Sequence, residues 1–237
     1  MDSSGMMKAL AAMTAVILGM SGTPLRADDT PVVVELFTSQ GCSSCPDADE
    51  MLAQLGERDN VIALALHVDY WDYIGWKDKF AHSAFTKRQK GYARAFNNRA
   101  IYTPQMVVNG VSDVVGNRAI DVSETVQEHL VKGLPVNLDV TRNGDTLSIS
   151  APRTHGLADA DIFLIRYTPS ETIDIPRGEN AGKSITYSHI VTEWSDVGDW
   201  NGTSALSASV PVAGDAPVVV LVQAKNQGRI LAAARLR

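Results

Sequence analysis

Two cysteines, the only two in a chain of 237 residues, lie three positions apart as Cys42 and Cys45. A largely apolar run, Pro31–Leu36, comes before them, and a helical pattern follows them. A Cys-x-x-Cys pair where a strand passes into a helix has the spacing of a redox dithiol, because two intervening residues let a disulfide close with little movement. No other stretch constrains the fold as much, since this one requires a strand, a turn and a helix in immediate succession.

The start of the predicted helix favours an anionic sulfur at Cys42. Unpaired N–H groups of the first helical turn and the positive end of the helix dipole both stabilise a thiolate there. We therefore predict that Cys42 is the exposed nucleophile and that Cys45, one turn deeper, is the resolving thiol. The acidic side chains of Asp47, Asp49 and Glu50 oppose a further negative charge at this position.

The first 27 residues have the organisation of a secretory signal peptide. Lys8 precedes the apolar run Ala9–Met20, and Ala27 offers a small residue before a cleavage point. The run is too short to span a bilayer comfortably, so we expect an exported bacterial protein, periplasmic or secreted, with no integral membrane segment after cleavage. An uncleaved anchor is the alternative. Two thiols this close should form a disulfide in an oxidising compartment, and the net charge of −6 argues against nucleic-acid binding.

The pattern of the remaining chain changes near residue 134. Residues 28–134 alternate strand-like and helical runs in the order β-α-β-α-β-β-α, which predicts an α/β domain. Residues 135–237 show only strand patterns, about seven of them, with Asn143-Gly144 as a strong hairpin signal. Strands at this spacing predict that the second domain is an all-β antiparallel sandwich.

Two motifs make the first half similar to the thioredoxin-like superfamily. These are the cysteine pair after the first strand and Thr103-Pro104 before the strand-like run Gln105–Asn109. The resemblance implies a thioredoxin-like domain with a mixed four-stranded sheet, and a redox-active disulfide Cys42–Cys45 with no other cofactor. It also implies a cis Pro104 beside the dithiol, preceded by a residue whose backbone pairs with an extended substrate. A proline at the first position of a strand removes no ladder hydrogen bond, which agrees with this placement.

Three segments resemble a narrower family more closely. Glu35–Pro46, His67–Asp72 and Tyr102–Gln105 are similar to a secreted bacterial family catalogued as domain of unknown function 1223. That resemblance covers nearly all of the chain after residue 27 and implies export, but it indicates no substrate. Ser43 and Ser44 match neither the histidine-containing pairs of superfamily oxidants nor the Gly-Pro of reductants, so the direction of electron flow is open.

Glu35 and His67 are candidate participants in the chemistry. Glu35 interrupts an apolar strand at a place similar to the buried acid of some thioredoxin-like proteins, so it is a candidate to exchange a proton with Cys45. The alternative is that it faces the other side of the strand. His67 ends the second strand and, together with Cys42 and Cys45, is a possible ligand set for Cu(I). The alternative for His67 is an ordinary hydrogen-bonded histidine.

Aromatic residues are concentrated between the second strand and the following helix, in Tyr70–Trp76. A rigid apolar surface containing Trp71 and Trp76 beside a dithiol is suited to holding an extended partner, so we predict substrate contacts there. The equal alternative is that these rings pack the helix onto the sheet.

Another pattern, Gly178–Ser184, is similar to a phosphate-binding loop but precedes a strand where such a loop requires a helix. We expect no nucleotide site there.

Together these patterns predict an exported thiol–disulfide oxidoreductase. Its expected partners are thiols or disulfides of other exported polypeptides and an unidentified redox partner. The alternative is a non-enzymatic binding module, handling Cu(I) or binding a partner, in which the cysteines are metal ligands or form a structural disulfide.

Overall fold

A computed structural model describes residues 30–237 of the protein. The predicted signal peptide, residues 1–27, lies outside the described residues. Within the described part, no helix has both the length and the apolar character needed to cross a membrane.

Two parallel strands at the start of the fold are buried along their whole length. They are β1 (Val32–Thr38) and β2 (Val61–His67), and every residue of both is buried. Such strands are apolar at nearly every position because other elements cover both faces. The helix α1 (Pro46–Gly56) connects them, and its first residue is a proline, which needs no N–H partner there. The parallel register ends with Thr38 opposite His67, so both residues lie at the edge where the cysteine loop begins.

The rest of the first half follows the predicted order. Its elements are α2 (Ser83–Ala95), β3 (Gln105–Val108), β4 (Ser112–Val115) and α3 (Ala119–Lys132). Helices α1 and α3 cover one face of the strands, and α2 covers the other. The sequence pattern places the start of α2 near residue 79, but the structure places it at Ser83. His82 is extended and its ring accepts a hydrogen bond from the Ala84 N–H, which caps the helix at that point.

Only strands follow residue 134, as predicted. They are β5 (Asp139–Asn143), β6 (Thr146–Ala151), β7 (Ala160–Ile175), β8 (Lys183–Trp200), β9 (Leu206–Pro211), β10 (Val218–Ala224) and β11 (Ile230–Leu236). The sequence pattern predicts strands at about residues 161–167 and 184–194, but β7 and β8 are longer, with 16 and 18 residues, and together they form one extended antiparallel hairpin.

The strands of the two halves join in one mixed sheet of eight, in the order β11-β10-β7-β8-β2-β1-β3-β4. The junction is the parallel pairing of β8 with β2 at Ile190 and Ala65. The four strands of the first half are neighbours in the mixed order β2-β1-β3-β4, but they form part of a larger sheet. The edge of β2 is not left open, because it accepts a strand from the second half. The division of the chain into two domains at residue 134 stays a prediction.

A second, antiparallel sheet consists of β5, β6 and β9. Leu147 and Ile149 of this sheet are buried in one apolar cluster with Leu164, Val220 and other residues of the large sheet. The small sheet therefore packs on the end of the large sheet that is farthest from the cysteine loop.

A buried ion pair also connects the two halves. The Arg88 guanidinium of α2 donates two hydrogen bonds to the Glu35 carboxylate of β1, at 2.5 and 2.9 Å, and one to the Gln223 side chain of β10, at 2.9 Å. The Arg88 side chain also lies 3.9 Å from the centre of the Trp194 ring. This arrangement satisfies a charge pair that burial alone would make costly.

Candidate functional site

The cysteine pair forms a disulfide at the start of α1. Cys42 and Cys45 are bonded with their Cα atoms 5.4 Å apart, and Cys45 is the N-cap of the helix. The Cys45 carbonyl accepts hydrogen bonds from the N–H groups of Ala48 and Asp49, at 2.9 and 3.0 Å. The strand-turn-helix context predicted for the motif is therefore present.

Both cysteines are buried, which corrects the prediction of an exposed nucleophile. The exposed fraction is 1 % for Cys42 and 0 % for Cys45. The neighbouring Ser43 and Ser44 are exposed, so the loop itself lies at the surface. Other segments of the chain are hydrogen-bonded to this loop.

One of those segments is the turn between β7 and β8, residues 176–182, which we call the hairpin tip. Its Asn180 side chain donates hydrogen bonds to the carbonyl oxygens of Gln40 and Cys42, at 3.0 and 2.9 Å. The Glu179 carboxylate accepts a hydrogen bond from the Ser43 N–H at 3.2 Å. The sequence pattern of Gly178–Ser184 gave no reason to expect this contact, because the two segments are more than 130 positions apart.

Thr103 and Pro104 lie at the same edge of the sheet as the cysteine loop. Their peptide bond is cis, and Gln105, the next residue, pairs with Phe37 near the end of β1. The space beside Gly116 is bounded by Pro104 and by Ala48 of α1. The sheet register thus brings the predicted substrate-positioning residues to the side of the molecule that carries the disulfide.

The two predicted tryptophans link the pieces of this site. The Trp71 indole N–H donates to the Thr103 hydroxyl at 2.8 Å, and the Trp71 Cβ lies close to Gly41. The Trp76 indole N–H donates to the side-chain oxygen of Gln40 at 2.8 Å. Both rings are partly buried, whereas Tyr73 between them is 82 % exposed. The tryptophans therefore hold the loop in place, and the freely accessible aromatic surface at this site is the Tyr73 ring.

Glu35 is not positioned to exchange a proton with Cys45, which corrects that prediction. Val34 and Leu36 face α1, so the intervening Glu35 faces the opposite side of the sheet. There its carboxylate pairs with Arg88 and accepts a hydrogen bond from the Tyr92 hydroxyl at 2.6 Å. The alternation of strand side chains explains this outcome.

His67 pairs with an acid instead of the cysteines. Its Nδ1 atom lies 2.7 Å from the carboxylate of Asp78, and both side chains are fully buried. The Nε2 atom is buried without a hydrogen-bond partner. Across residues 30–237, no group of three or more His, Cys, Asp and Glu side chains is arranged to hold a metal ion. The proposed ligand set of Cys42, Cys45 and His67 therefore has no preformed geometry in the disulfide form.

Asp49 is a functional candidate that sequence reasoning missed. It lies one helical turn after Cys45 on the buried face of α1, and its carboxyl is close to His67, at the edge where β2 ends. Burial raises the pKa of Asp49 to about 7, although the nearby His67 acts to lower it. One Asp49 oxygen and the Thr38 hydroxyl are buried without partners. The signal in the sequence was its four-residue spacing from Cys45.

These features define a mixed α/β protein with a second antiparallel sheet and a buried Cys-x-x-Cys disulfide at a helix start. The chain belongs to the family DUF1223, described as proteins of unknown function, whose model matches residues 33–223. No curated protein matches the chain.

The solved structures that are similar to this one include two from bacteria. The crystal structure of protein AGR_C_4864 from Agrobacterium tumefaciens shares 33 % identity, with a TM-score of 0.74 over 86 % of this chain and 93 % of that one. HBP35 of Porphyromonas gingivalis shares 13 % identity, with a TM-score of 0.63 over 88 % of this chain and 75 % of that one. At the lower identity the likeness concerns the fold alone.

Proposed function

We propose that this protein is an exported thiol–disulfide oxidoreductase, in which a thioredoxin-like part is extended by a sandwich-like β part. The observation that carries the proposal is the Cys42–Cys45 disulfide at the N-terminus of α1, on the sheet edge that also holds Thr103-Pro104. Its substrates are thiols or disulfides of other exported polypeptides, and an unidentified redox partner restores its starting state. The exchange needs no cofactor beyond the disulfide.

The exchange proceeds through a mixed disulfide. In the oxidising direction, a substrate thiolate attacks the Cys42 sulfur, the bond between Cys42 and Cys45 breaks, and Cys45 leaves as a thiolate. A second substrate thiolate then attacks the substrate sulfur and releases Cys42. Two electrons pass from two substrate thiols to the protein disulfide, and the same steps reversed describe reduction of a substrate disulfide.

Asp49 supplies the proton exchange at Cys45 in this proposal. The Cys45 thiolate forms in a site where no part of the residue is exposed to water, so a nearby buried acid is needed to protonate it. A pKa of about 7 leaves the Asp49 carboxyl able both to donate and to accept a proton near neutral pH. Asp49 takes the role that the sequence suggested for Glu35.

The surface next to the disulfide suits an extended polypeptide. The exposed Tyr73 ring and the partly buried Trp71 and Trp76 rings provide apolar contact area. The Thr103 hydroxyl is already engaged by Trp71, so its backbone remains the group available for pairing with a substrate chain.

Trapping of a mixed disulfide tests the proposal. Cys45→Ser removes the resolving thiol, so a reduced variant incubated with an extract of exported proteins should form mixed disulfides through Cys42. The matched control is Cys42→Ser, which keeps one thiol in the same loop and should trap far less. Mass spectrometry of dithiothreitol-sensitive adducts provides the readout. Equal trapping by the two variants, or none by either, would contradict the proposal.

Burial of both sulfurs favours a second candidate, a binding module in which the disulfide is structural. This candidate predicts that reduction lowers the unfolding midpoint and that no mixed disulfide forms under native conditions. The Cu(I)-handling form of this alternative predicts that only the reduced protein binds Cu(I), and that His67→Ala weakens binding. Equilibrium titration with a Cu(I) chelator distinguishes it from the structural form.

A further inference from the structure

The hairpin tip is hydrogen-bonded to the cysteine loop. Its Asn180 is only 1 % exposed although it lies in a surface turn, because its side chain is inserted against the cysteine loop. Both carbonyl oxygens that it binds, those of Gln40 and Cys42, belong to the segment that leads into the disulfide. The Asn180 side-chain oxygen accepts a hydrogen bond from the Lys183 ammonium at 2.8 Å, so the amide is fully engaged.

The tip also places a negative charge at the start of α1. The Glu179 carboxylate accepts a hydrogen bond from the Ser43 N–H, two residues before the N-cap Cys45. The positive end of the helix dipole favours an anion near this end of α1. With Glu179 in place, a thiolate at Cys42 would share this region with a second negative charge, which disfavours the thiolate.

Two glycines flank the part of the tip that contacts the cysteine loop. Gly178 and Gly182 have φ values of 82° and 81°, a conformation suited to glycine, and they flank the three residues that include the contacts. The apolar anchors of the hairpin, Ile175 and Tyr187, lie below the tip in a cluster that also includes Trp76. Opening therefore requires loss of the three hydrogen bonds to the cysteine loop, while the anchored strands stay in place.

We propose that the hairpin tip is a lid over the disulfide, closed by Asn180 and Glu179, which must open before a polypeptide thiol reaches Cys42. This inference deepens the proposed function and rests on it, since a lid matters only for a disulfide that reacts. The closed form protects the disulfide from thiols in general. A productive partner is one that displaces the tip and offers its own donor to the Cys42 carbonyl and an acceptor to the Ser43 N–H, as an extended backbone does.

The rate of disulfide reduction measures lid opening directly. A dithiothreitol thiolate attacks one protein sulfur, a second thiol of the same reagent closes its ring, and the protein is left with two thiols. The observed rate scales with the fraction of molecules whose lid is open. Asn180→Ala removes two of the three hydrogen bonds, and we expect reduction to be faster by about tenfold or more. Asn201→Ala, in an exposed turn that follows the far end of β8, is the matched control and should leave the rate unchanged.

A second variant keeps the test valid if Asn180→Ala perturbs folding. Glu179 is exposed, so Glu179→Gln should fold normally, and we expect it to speed reduction about two- to fivefold by weakening the charge-assisted contact with Ser43. The unfolding midpoint of each variant is measured in the oxidised form alongside the rate. An unchanged reduction rate in both variants, or rates that follow the unfolding midpoint alone, would overturn the lid.

The lid and the exchange function fail in different ways. Faster reduction of Asn180→Ala without mixed disulfides on Cys45→Ser supports the lid and rejects the oxidoreductase. Mixed disulfides on Cys45→Ser with unchanged reduction of both lid variants reject the lid and support the oxidoreductase.

Discussion

Replacement of Asp49 by asparagine tests the buried acid next to the disulfide. Burial raises the pKa of the Asp49 carboxyl from 3.8 to about 7, so the folded protein holds a proton there that the unfolded chain has already released. Stability from this group is fully present below pH 4 and is lost as the pH rises through about 7. Asparagine has nearly the same shape as the protonated carboxyl and does not titrate.

The size of the effect follows from the pKa. A shift of one unit corresponds to about 1.4 kcal/mol, so a rise from 3.8 to about 7 predicts a loss of about 4 kcal/mol across that range. The free energy of unfolding of the original protein should therefore fall by about 4 kcal/mol relative to Asp49→Asn between pH 4 and pH 8. Titrating groups distant from Asp49 are common to both proteins, and their contributions cancel in the difference.

Urea unfolding of the oxidised proteins at intervals between pH 4 and pH 8 provides the measurement. Asp47→Asn is the matched control, because Asp47 lies in the same helical turn but is exposed. Its difference from the original protein should stay within about 1 kcal/mol at every pH. A difference for Asp49→Asn that is equally flat would refute the reasoning, since it would mean that burial does not hold this carboxyl in its neutral form.

Three further predictions concern the contacts that connect the two halves. Arg88→Met should lower the free energy of unfolding by about 3–5 kcal/mol, because it leaves Glu35 buried without its charged partner. The double variant with Glu35→Gln should recover part of this lost free energy, and urea unfolding of both variants measures the effect. Gly56→Ala should lower the unfolding midpoint, because a Cβ there would lie 2.0 Å from the His189 ring, and a smaller residue at 189 should relieve the effect. Burial, with help from two arginines, lowers the pKa of His189 to about 4, so its protonation opposes folding as the pH falls from 6.5 toward 4. An NMR titration of that imidazole should give a midpoint well below 6, and a midpoint near 6.5 would contradict its burial in the neutral form.

The local part of the site could be predicted from the sequence. An apolar run, a Cys-x-x-Cys pair and a proline in the first turn specify a strand, a turn and a helix through neighbouring residues alone. The strand patterns after residue 134 also depend on neighbouring residues alone, and the structure contains strands there. What these patterns could not provide was the length of the β7–β8 hairpin, because its continuation depends on the partners that pair with it.

The roles of Glu35 and Asp49 show where such reasoning ends. Both are acids in apolar surroundings close to the cysteines in sequence. They differ in the direction of their side chains, because Asp49 is on the buried face of α1 and Glu35 is on the side of β1 that faces away from α1. Which of the two acids lies on the side of the disulfide depends on which side of the sheet α1 covers, and a strand pattern buried on both faces carries no information about that side.

The amino-acid sequence determined the position of the disulfide and the order of the helices and strands around it, because hydrogen bonds and side-chain periodicity within a few residues are enough to fix them. The tertiary structure decided that the two halves share one sheet and that Asn180 is hydrogen-bonded to the Cys42 carbonyl. Those features depend on contacts between segments more than 100 positions apart, and they form only when the packing of the whole chain brings the segments together.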